Sequence, residues 1–129
     1  MVKYSKKRRR CSVSDFQLGS VFVHVKDANK AANWYANLLG QPDPEPTEGP
    51  VQFMETADGR GLVIDDNRNN APDIRPVFML ETKDIRIAYE CVSKQGGKIV
   101  RDLQEDEAVA FFNFQDPDGN IVMVCEQRT

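Results

Sequence analysis

The sequence predicts an α+β fold: two tandem βαβββ modules that form one curved mixed sheet, a partial barrel with a cleft. Two observations support this fold class. Strand-like and helix-like segments occur in the same order in both halves of the 129 residues, and the residues that cap or turn the chain recur at a nearly constant separation. Because a repeated unit of this kind buries its apolar surface against its neighbour, we expect a single domain over residues 18–127.

The predicted domain opens with a strand, and a helix-capping residue follows that strand. In the stretch VFVHVKD the valines share one face of the strand, and the other face carries Ser20, Phe22 and His24. Asp27 is a typical N-cap, and residues 28–39 are rich in helix formers up to Gly40. The amphipathic spacing of this helix predicts that Trp34 packs in the core between helix and sheet.

Each half of the chain also contains a predicted hairpin. Asp58-Gly59 lies between the apolar runs VQFMETA and GLVID, and Asp118-Gly119 lies between AVAFFNFQ and NIVMVCEQ. An Asp-Gly pair between strands is a strong short-range signal for a hairpin. The stretch QPDPEPTEGP that follows the first helix is typical of a loop, and the polar, proline-bearing residues 67–75 are typical of a linker.

The repeat sets the boundaries of the two modules. Three positions of the first half recur 57 residues later, so that Asp27, Ala31 and Gly40 match Asp84, Ala88 and Gly97. The two Asp-Gly turns are 60 residues apart. We therefore place the first module at about residues 18–66 and the second at about residues 76–127.

Charge is distributed unevenly along the chain. Six of the 17 basic residues lie in the first ten, and the 11 others share the rest of the chain with all 20 acidic residues, a net of −9. This acidic body differs from a nucleic-acid-binding domain, which carries a basic stripe on a folded face. We expect no nucleic-acid partner, with the basic run at residues 3–10 as a weak exception, and we expect residues 1–17 to be a flexible tail.

Features that the sequence lacks indicate the cellular compartment of the protein. No apolar run reaches the roughly 18 residues of a membrane span, so we expect no membrane partner. The basic N-terminal residues are not followed by the apolar stretch of a secretory signal. Three cysteines without CxxC spacing indicate neither a disulfide framework nor a zinc knuckle. We therefore expect a cytoplasmic protein with reduced thiols.

Two stretches, VFVHVKDANKAANWYANLLG and FFNFQDPDGNIVMV, together with the duplication, resemble the vicinal oxygen chelate superfamily. That superfamily includes glyoxalase I, bleomycin-resistance proteins, fosfomycin-resistance enzymes and extradiol dioxygenases. The resemblance covers about residues 18–127 and implies the glyoxalase/bleomycin-resistance fold. It also implies a homodimer, and, for the enzymes of the superfamily, one divalent metal held in the cleft by His, Glu or Gln.

The positions that match the metal ligands of the superfamily carry other residue types. Counting from the capping aspartates and the DPDG turn places them at Ser20, Val63, Val77 and Met123. These side chains lack the imidazole and carboxylate groups that zinc, iron and manganese prefer. We therefore expect no cofactor, and the sequence disfavours a zinc, nickel, iron or manganese site.

Other residues with the strand parity of these positions are predicted to face the cleft. His24 and Glu81 each lie three residues before a capping aspartate, so they are equivalent positions of the two modules. If they met across the cleft, the carboxylate would orient the imidazole as a general base. The alternative is that both are structural polar residues. The predicted pocket comprises Ser20, Phe22, Val77, Met79, Ile121, Met123 and Cys125. A buried core thiol is the simpler role for Cys125 than a nucleophile.

Two main functions are compatible with these features. The first is a metal-free protein, similar to the bleomycin-resistance branch, that binds a small, partly apolar molecule in its cleft. The second is an enzyme (a lyase, isomerase or dioxygenase-like protein) that acts on a small oxygenated compound through His24 and Glu81 or through a non-standard metal site. A third hypothesis, an interaction module that uses the basic tail, ranks last. The sequence does not specify the ligand.

Overall fold

The computed structural model describes residues 15–128, and within this range the chain forms seven strands and two α-helices. Residues 1–14 of the predicted tail lie outside the residues that the structure describes. Asp15 and Phe16 belong to the domain: the Asp15 carboxylate accepts hydrogen bonds from Thr82 and Lys83, and Phe16 packs on the core. In chain order the elements are β1 Gln17–His24, α1 Ala28–Leu39, β2 Val51–Glu55, β3 Gly61–Asp65, a short 3-10 helix Pro72–Ile74, β4 Phe78–Glu81, α2 Ile85–Lys94, β5 Lys98–Glu105, β6 Val109–Gln115 and β7 Ile121–Gln127.

All seven strands belong to one mixed sheet in the order β2-β3-β1-β4-β7-β6-β5. The central strands β1 and β4 are antiparallel, and each has a parallel partner on its outer side, β3 and β7 respectively. The sheet is open, since β2 and β5 are its two edges. The predicted fold class, a curved mixed sheet of two related modules, is confirmed.

The two modules differ at one point. Residues 41–50 of the first module form no strand, whereas the second module has β5 in the equivalent place. Four prolines in these ten residues remove backbone donors that a strand would need. Asn29 of α1 instead holds this segment by a pair of hydrogen bonds with the backbone N–H and C=O of Thr47, at 3.0 and 2.9 Å. Only the second module therefore extends its hairpin with a third strand.

The predicted caps and turns are confirmed. The Asp27 carboxylate accepts a hydrogen bond from the backbone N–H of Lys30, and Asp84 accepts two in the same way at the start of α2. Gly40 ends α1 with φ of 70°, a left-handed conformation that costs glycine little. Neither described helix is long and apolar enough to cross a membrane.

Both helices pack on one face of the sheet. Small residues of α1 (Ala28, Ala32 and Ala36) are buried against Ile64 and Met54, and α2 packs on Phe112 and Val124. The prediction that Trp34 belongs to this core is wrong, because its side chain is 61% exposed. Position 34 lies on the opposite side of the helix from the alanine stripe, since two residues correspond to a rotation of about 200°.

Candidate ligand-binding site

A cavity of about 500 Å³ lies on the face of the sheet that is turned away from the helices. All seven strands contribute to its wall. The alternation of side chains explains this: in β6, Val109, Phe111 and Asn113 line the cavity, while Ala110 and Phe112 pack on the helix side. This is the face of the open sheet that carries no helix. Its side chains form a concave site with mostly apolar walls.

Four of the predicted pocket residues line this cavity: Phe22, Met79, Met123 and Cys125. The three others are not part of its lining. Ser20 lies against the first residue of β3, because a methyl group added at Gly61 would be 2.6 Å from the Ser20 hydroxyl oxygen. Val77 is 48% exposed, and its backbone N–H bonds the carbonyl oxygen of Ile121 at the start of β7. Ser20 and Val77 each come two residues before a cavity residue, Phe22 and Met79 respectively.

His24 and Glu81 are not brought together by the fold. Because β1 and β4 are antiparallel, Glu81 pairs with Gln17 at the beginning of β1, whereas His24 is the last residue of that strand. Seven residues of extended chain separate the two positions by about 23 Å. The repeat makes His24 and Glu81 equivalent positions of the two modules. Because the modules meet at two antiparallel strands, β1 and β4, equivalent residues lie at opposite ends of this strand pair.

The imidazole of His24 has structural partners on both nitrogen atoms. Nε2 donates to the carbonyl oxygen of Pro76 at 2.6 Å, and the Asn67 side-chain amide lies 3.0 Å from Nδ1. Because the carbonyl oxygen can only accept, Nε2 carries a proton in this contact. His24 is absent from the lining of the cavity.

Glu81 lies in a separate polar depression of about 300 Å³. Asp15, Thr82 and Lys83 also line it, and the hydrogen bonds that connect these three residues hold the chain at the start of β1 against the end of β4. Nearby, the Arg128 guanidinium and the backbone N–H of Ile85 lower the pKa of Glu126. These contacts give Asp15, Thr82, Lys83 and Glu126 a structural role beside Glu81.

Two cavity residues that the sequence did not indicate are Arg101 and Asn113. They are direct cross-strand partners in β5 and β6, and both line the cavity. The register of β5 shifts on both sides of Arg101, so that Ile99 and Leu103 pack towards the helix while Arg101 faces the cavity. Strict alternation along KIVRDL places all three on the same face, and the irregularities therefore hid Arg101. Alternation along β6 was sufficient to identify Asn113.

Arg101 is positioned by polar and aromatic neighbours. Its Nη1 donates to the side-chain oxygen of Asn70 at 2.7 Å, and its guanidinium carbon lies 5.3 Å from the centre of the Phe111 ring. Asn70 in turn donates to the carboxylate of Asp65 at 3.1 Å. Over residues 15–128, no carboxylate lies within 4.0 Å of the Arg101 guanidinium, which leaves several of its N–H groups available to a ligand.

Asn113 is 1% exposed and has one satisfied and one unsatisfied side-chain atom. Its Nδ2 donates to the carbonyl oxygen of Ile74 at 2.8 Å, which fixes the orientation of the amide. Its Oδ1 has no hydrogen-bond partner, and it is the sole buried side-chain nitrogen or oxygen in that condition in the described part of the chain. A buried acceptor without a donor costs about 1–3 kcal/mol.

Cys125 is a buried thiol on the cavity wall. It is 3% exposed, and burial raises its pKa to about 11, with a smaller contribution from the negative charges of Glu81 and Glu126. The thiol is therefore protonated near neutral pH and is a poor nucleophile. Cys91 is disulfide-bonded, so the prediction that all three cysteines are reduced is wrong for that residue.

The metal that the resemblance implies does not fit the residues present. Val63 and Met123 of the four matching positions line the cavity, and they provide a hydrocarbon and a thioether. Ser20 adds one hydroxyl, and Val77 adds another hydrocarbon side chain. Nowhere between residues 15 and 128 do three His, Cys, Asp or Glu side chains form a group that could hold a metal ion.

Comparisons with known proteins agree with this architecture. The family model of the glyoxalase/bleomycin resistance protein/dioxygenase superfamily matches residues 17–124. A glyoxylase-like domain-containing protein of Didymella fabae is 25% identical over 118 residues, which cover 84% of this chain and 92% of the relative.

Solved structures show the same fold at lower identity. A member of the same superfamily from Vibrio splendidus has a TM-score of 0.62 and 16% identity, covering 87% of this chain and 98% of that one. Methylmalonyl-CoA epimerase from Streptomyces coelicolor has a TM-score of 0.61 and 12% identity, covering 92% and 100%. The resemblance to the vicinal oxygen chelate proteins is thus confirmed, and the chain belongs to the glyoxalase/bleomycin resistance protein/dioxygenase superfamily.

Proposed function

We propose that this protein binds a small, partly apolar molecule in the cavity and does so without the divalent metal of the enzymes of its superfamily. The observation that carries the proposal is the cavity itself: about 500 Å³ with Phe22, Phe111, Met79 and Met123 in its wall. This volume is within the range of small-molecule sites, about 300–1,000 Å³.

The wall composition favours an apolar ligand. Phe53 is 73% exposed and Met79 is half-buried, so large apolar side chains at the cavity remain accessible to solvent without a ligand. Covering such surface contributes about 25 cal/mol for each Å² removed from water. Methionine side chains have three rotatable bonds and a polarisable sulfur, so Met79 and Met123 can adapt to the shape of a ligand.

An enzyme that acts through His24 and Glu81 has less support. The two side chains lie at opposite ends of β1, and His24 uses both nitrogen atoms in contacts outside the cavity. The raised pKa of Cys125 disfavours it as a nucleophile. The epimerase among the structural neighbours is 12% identical, which shows the shared fold alone.

The test is a screen for stabilising ligands followed by direct measurement of binding. Apolar compounds of one or two rings should raise the midpoint of thermal unfolding, and the best should bind in isothermal titration calorimetry. Val109→Trp places a large side chain in the cavity and should weaken binding by about tenfold or more, equivalent to about 1.4 kcal/mol. The matched control is Val77→Trp, at an exposed position outside the cavity lining, which should leave the affinity unchanged.

Chemical conversion of the ligand decides between binding and catalysis. After prolonged incubation with the protein, the bound compound should be recovered unaltered in mass and stereochemistry. A product that forms in proportion to protein concentration, and that Val109→Trp abolishes, would support the enzymatic alternative instead.

The assembly and compartment of the protein stay predictions. We propose that it is a homodimer in the cytoplasm, as expected from the sequence and its resemblance. Light scattering coupled to size-exclusion chromatography should give twice the chain mass, and a monomeric mass would contradict the proposal.

A further inference from the structure

We infer that Arg101 and Asn113 recognise the polar end of the ligand, and that the ligand is an apolar carboxylic acid with a hydrogen-bond donor next to its carboxylate. This inference rests on the proposed function, because it names the class of molecule that the cavity would take. An α-hydroxy acid with an aromatic tail is the simplest compound of this class.

Asn113 is the reason why the ligand should carry a hydrogen-bond donor. The bond from Nδ2 to the Ile74 carbonyl oxygen prevents the amide from turning over, so the group presented without a partner is the acceptor Oδ1. The residue is 1% exposed and lines the cavity. Buried polar side-chain atoms are normally hydrogen-bonded, and a hydroxyl or N–H of a ligand would satisfy this one.

Arg101 is the reason why the ligand should carry a negative charge. One of its five N–H donors is used on Asn70, and no side-chain carboxylate in the described chain neutralises it at ion-pair distance. The cation–π contact with Phe111 and the hydrogen bond to Asn70 hold the guanidinium in place. A pre-positioned guanidinium with free donors favours a carboxylate, which it can contact through two parallel hydrogen bonds.

The carboxylate of Asp65 in the cavity wall already has a hydrogen-bond donor on each oxygen. Asp65 is buried and accepts hydrogen bonds from the backbone N–H of Asn67 and from the side chain of Asn70. Asn70 bridges Asp65 and Arg101, so Asp65 orients the guanidinium indirectly through Asn70. The acid group of a ligand would therefore bind to the N–H groups of Arg101 that do not contact Asn70.

The pairing of the two strands places both polar residues at neighbouring points of the cavity wall. Directly opposed residues of an antiparallel pair have Cβ atoms about 4.5–5.5 Å apart. Arg101 and Asn113 are cross-strand partners, so their side chains start close together, which favours a ligand whose donor is close to its carboxylate. Beyond Asn113, Phe111 and Phe22 offer an aromatic surface to the rest of the molecule.

Calorimetric titration with four related probes tests the inference on the unmodified protein. The probes are phenyllactate, its methyl ester, its O-methyl ether and hydrocinnamate, which lacks the hydroxyl. Phenyllactate should bind about tenfold more tightly than each of the others, because the ester removes the anion, and the ether and hydrocinnamate remove the donor. Equal affinities for phenyllactate and its ester, or for phenyllactate and its ether, would overturn the inference.

Two variants assign the preferences to residues. Arg101→Gln should remove the preference for the acid over the ester, and Asn113→Ala should remove the preference for phenyllactate over its ether. The control Arg60→Gln changes an arginine whose side chain is 74% exposed at a hairpin turn, and both preferences should persist. If Asn113→Ala does not fold, the comparison of phenyllactate with its ether on the unmodified protein decides the role of Oδ1.

Failure of the inference and failure of the proposed function give different results. If neutral apolar compounds from the thermal screen bind while phenyllactate has no advantage, the inference is wrong and the proposed function stands. If neither the neutral compounds nor any of the four probes binds, both are wrong.

Discussion

The imidazole of His24 donates from Nε2 to the carbonyl oxygen of Pro76 across 2.6 Å and so ties the end of β1 to the residue before Val77. Asn67 contacts the other ring nitrogen, and it belongs to the connection between the two modules. The sole histidine of the chain therefore joins the end of β1 to two points of the connection between β3 and β4, which is distant from it in sequence. In this arrangement the ring acts as a structural tether between the modules.

Removal of this tether should lower stability. We expect His24→Ala to reduce the free energy of unfolding by about 1 kcal/mol, since two hydrogen bonds are lost and a carbonyl oxygen loses its donor. Urea denaturation monitored by circular dichroism measures this change. Lys26→Ala, at an exposed position just beyond β1, should have no comparable effect. Unchanged stability of His24→Ala would argue against the tether.

Metal removal should have no effect on the protein. The four positions that match the family ligands carry a hydroxyl, two hydrocarbon side chains and a thioether, which form a poor donor set for a divalent ion. Elemental analysis of protein purified without chelator should find zinc, nickel, iron and manganese well below one equivalent. Treatment with EDTA should then change neither the unfolding midpoint nor ligand affinity. One equivalent of metal whose loss lowers the midpoint would contradict this prediction.

The thiol of Cys125 should titrate far above neutral pH. Burial raises its pKa to about 11 from the ordinary value of 9.0. The folded state therefore binds this proton more strongly than the unfolded state, so its contribution to stability is complete below pH 9 and is lost as pH rises towards 11. Alkylation of Cys125 by iodoacetamide, followed by peptide mass spectrometry, should remain slow at pH 8. An apparent pKa at or below 9 would show that the site is open to water.

Most of the fold was predictable because local signals and the repeat agree. Asp27 and Asp84 both cap helices, and both Asp-Gly pairs lie in hairpin turns. These features depend on residues that are neighbours in sequence. Trp34 was misassigned because the buried face of α1 is made of alanines, whose small size allows close packing on the sheet.

The site was predictable only where strands are regular. Phe22, Met79, Met123 and Cys125, which alternation assigns to the cleft face, line the cavity. It failed for Arg101, since two register shifts in β5 change the face of the strand. The pairing of His24 with Glu81 required the relative direction of β1 and β4, which depends on contacts between modules.

Ser20 and Gly61 should show a measurable energetic coupling. They are neighbours in the parallel register of β1 and β3, and a methyl group at Gly61 would be 2.6 Å from the Ser20 hydroxyl oxygen. Gly61→Ala should therefore cost about 1 kcal/mol in the unmodified chain. In a Ser20→Ala background the same change should be neutral or stabilising by about 0.4–1 kcal/mol, because alanine restricts the unfolded chain.

A double-mutant cycle on the free energy of unfolding checks this coupling. Gly49→Ala is the control, since its nearest neighbouring atom is at an ordinary distance of 3.5 Å, and its effect should be independent of Ser20. Additive effects of Gly61→Ala and Ser20→Ala would mean that the hydroxyl points elsewhere. Because Ser20 occupies the position of the first-strand metal ligand in the superfamily, such a result would return that side chain to the list of groups able to reach the cavity.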